Sequence, residues 1–327
     1  MKKVLVTGAN GFVGSHICEA FIEAGYSVRA MVRESSDLAN IKELDMQLAK
    51  GDLDNPESLE AAVSDMDIVI NSAGLTKTLD PREFERVNIG GTENILRTIE
   101  SVNPDLKRFI QISSTAAVGP SDSQIPICEN RPCKPLTAYG RSKLGGEKMA
   151  LSFKNRFPLT ILRPSAVYGS RDKEMLSFFK AIKFGIKPTF GKGECYSSFS
   201  YVKDLAQATV KATESETSSG SIYFIAEKKY YSYSEAGDII SEELGVRAID
   251  IHVPVSMIVF AGRISELIAK IRNKPSIFTA DKALEISQKY WIIDTSKTEK
   301  DIGFTAPTSF KDGVRETVEW YRSHRWL

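Results

Sequence analysis

Short runs rich in Val, Ile and Leu recur at about residues 3–7, 27–32, 46–50, 67–71, 107–113 and 159–163. Between them lie longer stretches with apolar residues at helical spacing, notably 12–24, 82–102 and 138–156. Strand-length apolar runs alternating with helical periodicity make a βαβ series, and this predicts an α/β fold built on a doubly wound parallel sheet. No internal repeat, low-complexity stretch or long linker interrupts the pattern.

After about residue 165 the alternation weakens and Pro and Gly become frequent, through Pro164, Gly169, Gly185, Pro188, Gly191 and Gly193. That shift marks the entry to a smaller, mixed C-terminal region. A chain of 327 residues exceeds the usual span of one hydrophobic core. The expected organisation is therefore a main domain over 1–165, to which segments near 195–225 return, and a second region over 166–327. The most apolar stretch, Val255 to Ile271, carries Arg263, Glu266 and Lys270 and is too interrupted to span a bilayer. A core-facing helix is the favoured reading of it, with a lipid-contacting or substrate-entry wall as the alternative. The chain ends in an amphipathic helix from Phe310 to Arg322, with Val314, Val318 and Tyr321 at helical spacing.

Composition changes this picture little. With 43 basic and 42 acidic side chains, no net field steers the chain toward nucleic acid or anionic lipid. The first residues, Met-Lys-Lys before a strand-like Val-Leu-Val, carry no secretory signal pattern, so the cytoplasm is expected. Cys18, Cys128, Cys133 and Cys195 lack paired spacing and the three histidines are scattered. Free thiols and no metal site are expected.

The chemistry begins in the first turn. A strand ending at Thr7, glycines at 8, 11 and 14, and a helix starting near Phe12 form the setting in which a glycine motif binds a dinucleotide. Gly8 permits the tight turn, Gly11 lets a pyrophosphate approach the backbone, and Gly14 allows close helix–strand packing. At the end of the second strand, where an acidic residue would take a ribose 2′-hydroxyl, the chain reads Val32-Arg33-Glu34-Ser35. Arg33, with Ser35 beside it, favours NADP(H) over NAD(H), and Glu34 is the competing acid. Gly51-Asp52-Leu53 and Asn71-Ser-Ala73-Gly74 follow the third and fourth strands, at the carboxyl ends where open α/β sheets bind ligands. There Asp52 would accept from the adenine amine, and Ala73 and Gly74 are small enough to admit the cofactor.

Ile112-Ser113-Ser114-Thr115 ends the fifth strand, and Tyr139-Gly-Arg-Ser-Lys143 follows. Positions four apart share a helix face, so the phenol and the ammonium project together. A phenol with an ordinary pKa of about 10 is a poor base at neutral pH. A neighbouring ammonium and a positive nicotinamide ring would bring it toward the working range. Tyr139 would then move a proton, Lys143 would support it, and Ser114 would hold the substrate oxygen while hydride crosses to or from nicotinamide C4.

These residues, with Val87-Asn88 and Gly-Gly-Thr-Glu-Asn at 90–94, Arg163-Pro-Ser-Ala-Val-Tyr-Gly169 and Phe199-Ser-Tyr-Val-Lys-Asp204, resemble the extended short-chain dehydrogenases/reductases of the NAD-dependent epimerase/dehydratase group, over nearly the whole chain. The resemblance implies a Rossmann sheet and an NADP- or NAD-dependent enzyme with catalytic Ser114, Tyr139 and Lys143. It adds Asn10, Phe12, Val13, Pro164 and Val167 to the cofactor contacts. It also implies substrate contacts from Thr76, Thr115, Tyr168 and Phe199, and a homodimer formed through the helices at 82–102 and 138–156.

Departures from the group narrow the substrate. Sugar-nucleotide 4,6-dehydratases place an Asp-Glu pair after the catalytic hydroxyl, where this chain has Ala116-Ala117. Sugar-nucleotide epimerases carry an Arg two residues before the aromatic at 199, where this chain has Ser197, although Lys187, Lys192 or Arg171 could substitute. The segment around Val28 to Leu38, the ISSTAAVGPS segment and the run from Pro275 to Arg322 resemble the dihydroflavonol reductase and 3β-hydroxysteroid dehydrogenase-like branch. That branch implies hydride transfer with a ketone or secondary alcohol of a mainly apolar small molecule. Phe178, Phe179, Phe184, Phe190, Tyr196, Phe199 and Tyr201 are either the walls of its pocket or the packing of the smaller region. The alternatives are a UDP-sugar 4-epimerase-like enzyme with tightly held NAD, and a non-catalytic cofactor sensor.

Overall fold

The computed structural model describes residues 1–191, 193–216 and 219–327. Its first six strands are β1 (Lys3–Thr7), β2 (Ser27–Val32), β3 (Gln47–Lys50), β4 (Ile68–Asn71), β5 (Arg108–Ile112) and β6 (Leu159–Pro164). The later ones are β7 (Ala166–Tyr168), β8 (Ile186–Phe190), β9 (Tyr196–Tyr201), β10 (Ser221–Ile225), β11 (Tyr230–Ser232), β12 (Ile249–Val253) and β13 (Tyr290–Trp291). Seven of them form one sheet in the order β10-β6-β5-β4-β1-β2-β3, with every neighbour pair parallel.

Successive strand residues point to opposite faces, and both faces are covered. Val4 and Val6 pack with Ile17, Cys18 and Phe21 of the Phe12–Glu23 helix and Leu205 and Ala208 of the Val202–Glu214 helix. On the other face Leu5, Val69 and Phe109 meet Leu59, Ile95, Ile99 and Ala150 from the Pro56–Val63, Gly91–Val102 and Ala138–Ser152 helices. The strand order reverses between β1 and β4, so the crevice at their carboxyl ends is the topological switch point.

The predicted strands are found within a residue or two of their expected ends, and two predicted helices are altered by packing. The helix expected over 82–102 contains a π-helical turn at Arg86–Gly90, which places Asn88 inward. The helix expected over 138–156 ends at Ser152. There Phe153 stacks on Phe157, which in turn packs on Phe109, and the chain turns toward β6.

The smaller region holds a sheet ordered β11-β9-β13, with β7 also on β9, and a two-stranded pair of β12 and β8. Its core is aromatic: Tyr168, Phe179, Phe199, Tyr201, Tyr231, Phe310 and Tyr321 are all buried together. The terminal helix Phe310–Ser323 supplies Val314, Val318 and Tyr321 to it, at the predicted spacing. One expectation is corrected. The Val255–Arg272 helix is not core-facing: it buries only Ile258, Gly262 and Ala269, because its main packing partner among the described residues is the small Ala280–Ile286 helix. No helix among the described residues is long and apolar enough to cross a membrane.

Candidate active site

The glycine loop sits at the switch point. Gly8 takes φ +62°, and a Cβ there would lie 2.9 Å from Ala73 Cα, so a side chain at residue 8 would collide with the loop after β4. A Cβ on Gly14 would approach Gly8 O to 2.2 Å, which fixes the helix against the turn. The Phe12–Glu23 helix is capped by the extended backbone of Gly11 with no side-chain bond, and its first turn carries no acid. Its leading N–H groups are thus open to an anion. Phe12 and Val13 are half-buried at that end. Asn10 Nδ2 donates to Asp37 O (3.0 Å) and ties the loop to the segment after β2.

A buried polar chain supports the crevice from below. Ala73 N donates to Thr7 Oγ1 (3.0 Å), Thr7 Oγ1 to Asn71 Oδ1 (2.7 Å), and Asn71 Nδ2 to Gln111 Oε1 (2.9 Å). At the rim, Arg33 is exposed at the end of β2. Glu34 is turned to Lys50 Nζ at 2.5 Å. Arg29, by contrast, is committed to the fold through Gln47 and the carbonyls of Ala61, Ala62 and Ser64. Asp52 is partly exposed and spends one carboxylate oxygen on Asp54 N (3.1 Å). Leu53 is buried and gives its carbonyl to Asn94 (2.7 Å). Pro164 is buried at the end of β6 and Val167 half-buried in β7.

The hydroxyls after β5 separate by burial. Ser113 is buried and donates to Glu147 Oε1; Thr115 is buried in a short 3₁₀ turn; only Ser114 is partly open. Ser114 Oγ accepts from Ala116 N (3.1 Å), and the Ser114 hydroxyl is near enough to the Tyr139 phenol to favour its ionised form. The Ala138–Ser152 helix carries Tyr139 and Lys143 on one face, and Lys143 Nζ donates to Ile112 O (2.7 Å) at the strand end. One turn further along, Glu147 forms a bidentate pair with Arg163 at 2.6 and 2.8 Å.

Burial pushes the Tyr139 phenol above its ordinary value, with Glu174 and Glu285 adding to the shift and Lys282 and the Ser114 hydroxyl opposing it. Burial pushes Lys143 down to about 8, with Glu147 working the other way. Lys282 bonds Glu285 (3.3 Å), lies 3.8 Å from Glu174, and acts on both Tyr139 and Tyr233. Phe84 meets the Tyr139 ring edge-on at 5.9 Å, and Phe178 and Phe190 pack on Tyr233. The mouth around Tyr139 is therefore aromatic with one charged cluster.

Sequence reasoning overlooked two supports. Asn88, from the π turn, bonds both Leu75 N (2.8 Å) and Leu75 O (3.1 Å) and donates to Ser142 Oγ (2.9 Å), and Ser142 donates to Tyr139 O (2.8 Å). The Glu147–Arg163 pair was readable as a charge in an otherwise apolar strand and an acid four residues after Lys143. Two expected substrate contacts are corrected. Tyr168 and Phe199 are 1% and 2% exposed and pack against Phe310, with Gly313 closing over the Tyr168 hydroxyl, so neither reaches a ligand. Thr76 is exposed beside Leu75.

Comparison with known proteins gives a consistent picture. The model of the NAD dependent epimerase/dehydratase family matches residues 4–226. The chain is 28% identical to a ceramide reductase of Caulobacter vibrioides, covering 99% of this chain and 96% of the relative. It is 27% identical to a putative UDP-glucose 4-epimerase of Methanocaldococcus jannaschii, covering 98% and 99%. The crystal structure of gox2253 superposes with a TM-score of 0.84 over the whole of both chains at 25% identity.

Proposed function

The chain belongs to the NAD-dependent epimerase/dehydratase family, and on that premise we propose that it is an NADP(H)-preferring oxidoreductase acting on a ketone or secondary alcohol of a mainly apolar substrate. The observation that carries the reading is the convergence of Ser114, Tyr139 and the tethered Lys143 at the carboxyl end of β5. The open helix start at Gly11 and the close contacts of Gly8 and Gly14 suit a dinucleotide pyrophosphate. Arg33, exposed and without an ion-pair partner among the described residues, suits a 2′-phosphate, while Glu34 is occupied by Lys50.

A bound nicotinamide supplies or accepts the hydride. In reduction, hydride adds to the carbonyl carbon and the C=O π pair moves onto oxygen. The Tyr139 O–H breaks and its proton passes to that oxygen, which Ser114 orients. A phenol held above its ordinary value arrives protonated, the form this direction needs. Lys143 compensates the phenolate that remains.

Two of the three cations that an epimerase could direct at a sugar diphosphate are otherwise engaged. Ser197 is buried, Lys187 pairs with Asp238 and Asp250, and Arg171 pairs with Glu19. Lys192 lies outside the described residues. Dimerisation through the helices over 82–102 and Ala138–Ser152 belongs to the same proposal.

The test is a pair of titrations. NADPH should bind at least about tenfold tighter than NADH, and Arg33→Ser should remove the difference, a loss of about 1.4 kcal/mol. Equal affinities, or tighter NADH, would overturn the cofactor preference. Tyr139→Phe should bind cofactor normally and lose about 10²- to 10⁴-fold in turnover.

A further inference from the structure

The Val255–Arg272 helix carries two apolar faces. At about 100° per residue, Ile258, Gly262 and Ala269 fall together and are buried; a Cβ on Gly262 would lie 2.7 Å from the backbone of Thr279 and Ala280. On the other side of the helix, about 100° to 180° round from that trio, fall Met257, Phe260, Ile264, Leu267, Ile268 and Ile271, each 44% to 77% exposed. Charge is sorted just as strictly. Arg263 and Lys270 lie on one flank of the exposed stripe and Arg272 on the other, with Lys274 following, all exposed. The only carboxylate of the helix, Glu266, is on the buried side, where its Oε1 accepts from Ala280 N (2.8 Å). The strand leading into the helix adds exposed Ile249 and Ile251.

We propose that this face docks on an anionic lipid bilayer, with the helix lying in the plane of the interface. The charges that interrupt the helix exclude crossing. An apolar stripe flanked by Lys and Arg suits shallow insertion, since the stems cover apolar surface and the heads reach lipid phosphates. A second copy is a poorer occupant. An isologous contact would bring the same cations together with no exposed carboxylate on the stripe to pair them.

Docking here bears on the active site. The buried side of the helix rests on the Ala280–Ile286 helix. That helix holds Ala138 N through Asp281 (3.1 Å) and supplies Lys282 near Tyr139. The catalytic mouth thus lies one helix away from the docked face, and a bilayer-dissolved substrate has a short path to it.

The experiment is co-sedimentation of the full chain with vesicles of phosphatidylcholine alone or mixed with phosphatidylglycerol, alongside measurement of mass in solution. The chain should pellet with the mixed vesicles, less with neutral ones, and less as salt rises. Phe260→Ser with Leu267→Ser should abolish pelleting at unchanged melting temperature. Arg263→Gln with Lys270→Gln should weaken it about fivefold per cation. No pelleting on either vesicle, or undiminished pelleting of both variants, would overturn the proposal. So would a solution dimer that the serine variant dissolves, because the stripe would then belong to a second copy. The readout uses no turnover, so it stands or falls apart from the assigned reaction.

Discussion

Replacing Glu147 by Gln removes the acid that neutralises Arg163 while keeping its shape. Both side chains are 2% exposed, and the carboxylate takes two bonds from the guanidinium and a third from Ser113. A Gln offers one acceptor oxygen and turns an NH₂ toward the donors of Arg163, leaving a buried charge against Phe224. Breaking one side of such a pair costs about 3–5 kcal/mol, which for a chain of 327 residues is a fall in Tm of about 4–7 °C. The change also reaches Lys143, because Glu147 is the group that raises it. The ammonium should then lose its proton at lower pH and hold cofactor less well near neutrality. Urea unfolding measures the first effect and a cofactor titration across pH the second. A Glu147→Met/Arg163→Met double variant should lose less stability than Glu147→Gln, since no charge is stranded. A single-variant loss under about 1 kcal/mol, or a double variant that loses the sum of both singles, would refute the reasoning.

Three further outcomes follow from the same geometry. Lys143 is pushed down to about 8 by burial, so cofactor affinity should fall as pH rises through about 8, and Lys143→Arg, which stays charged, should remove that limb. Burial penalises the ammonium below that pH, so stability due to this group should rise over the same window in which binding falls. His16 is pushed down to about 4 by burial and bonded to Phe12 O and Ser170 Oγ. Below pH about 6.5 the unfolded chain takes a proton that the folded chain refuses until about 4, so stability should fall by about 3 kcal/mol on acidification across that window. Asp172, pushed up to about 7 by burial, acts in the opposite sense, so the informative quantity is the difference in urea midpoints between the native chain and His16→Gln at each pH. Gly14→Ala, whose Cβ meets Gly8 O at 2.2 Å, should weaken cofactor binding by at least about tenfold, and calorimetry showing native affinity would contradict the close-packing argument.

The sheet was legible because its central strands carry unbroken apolar runs, as in Val4-Leu5-Val6 and Ile68-Val69-Ile70, and such runs have few alternatives. The glycine loop and the Tyr139/Lys143 pair were legible because both are short local patterns whose geometry follows from one turn or one helix. The misreadings share a different cause. Apolarity alone cannot separate a helix buried on one side from one apolar on both, so the pattern of Val255 to Ile271 favours core. An aromatic near a site can pack or line a pocket, and the contacts that settled Tyr168 and Phe199 come from Phe310 and Gly313, more than a hundred residues away in sequence. Lys282 and Glu285, which act on Tyr139, are likewise more than a hundred residues from it in sequence.

The most direct test of the account follows deuterium from the C4 position of labelled NADPH during incubation with a panel of apolar ketones. The account predicts deuterium on the carbinol carbon of a released alcohol, with stoichiometric NADP formed by the native chain and neither product with Tyr139→Phe. Contradiction would be a chain that leaves every ketone unlabelled while retaining NAD through purification and inverting a UDP-sugar without net cofactor turnover.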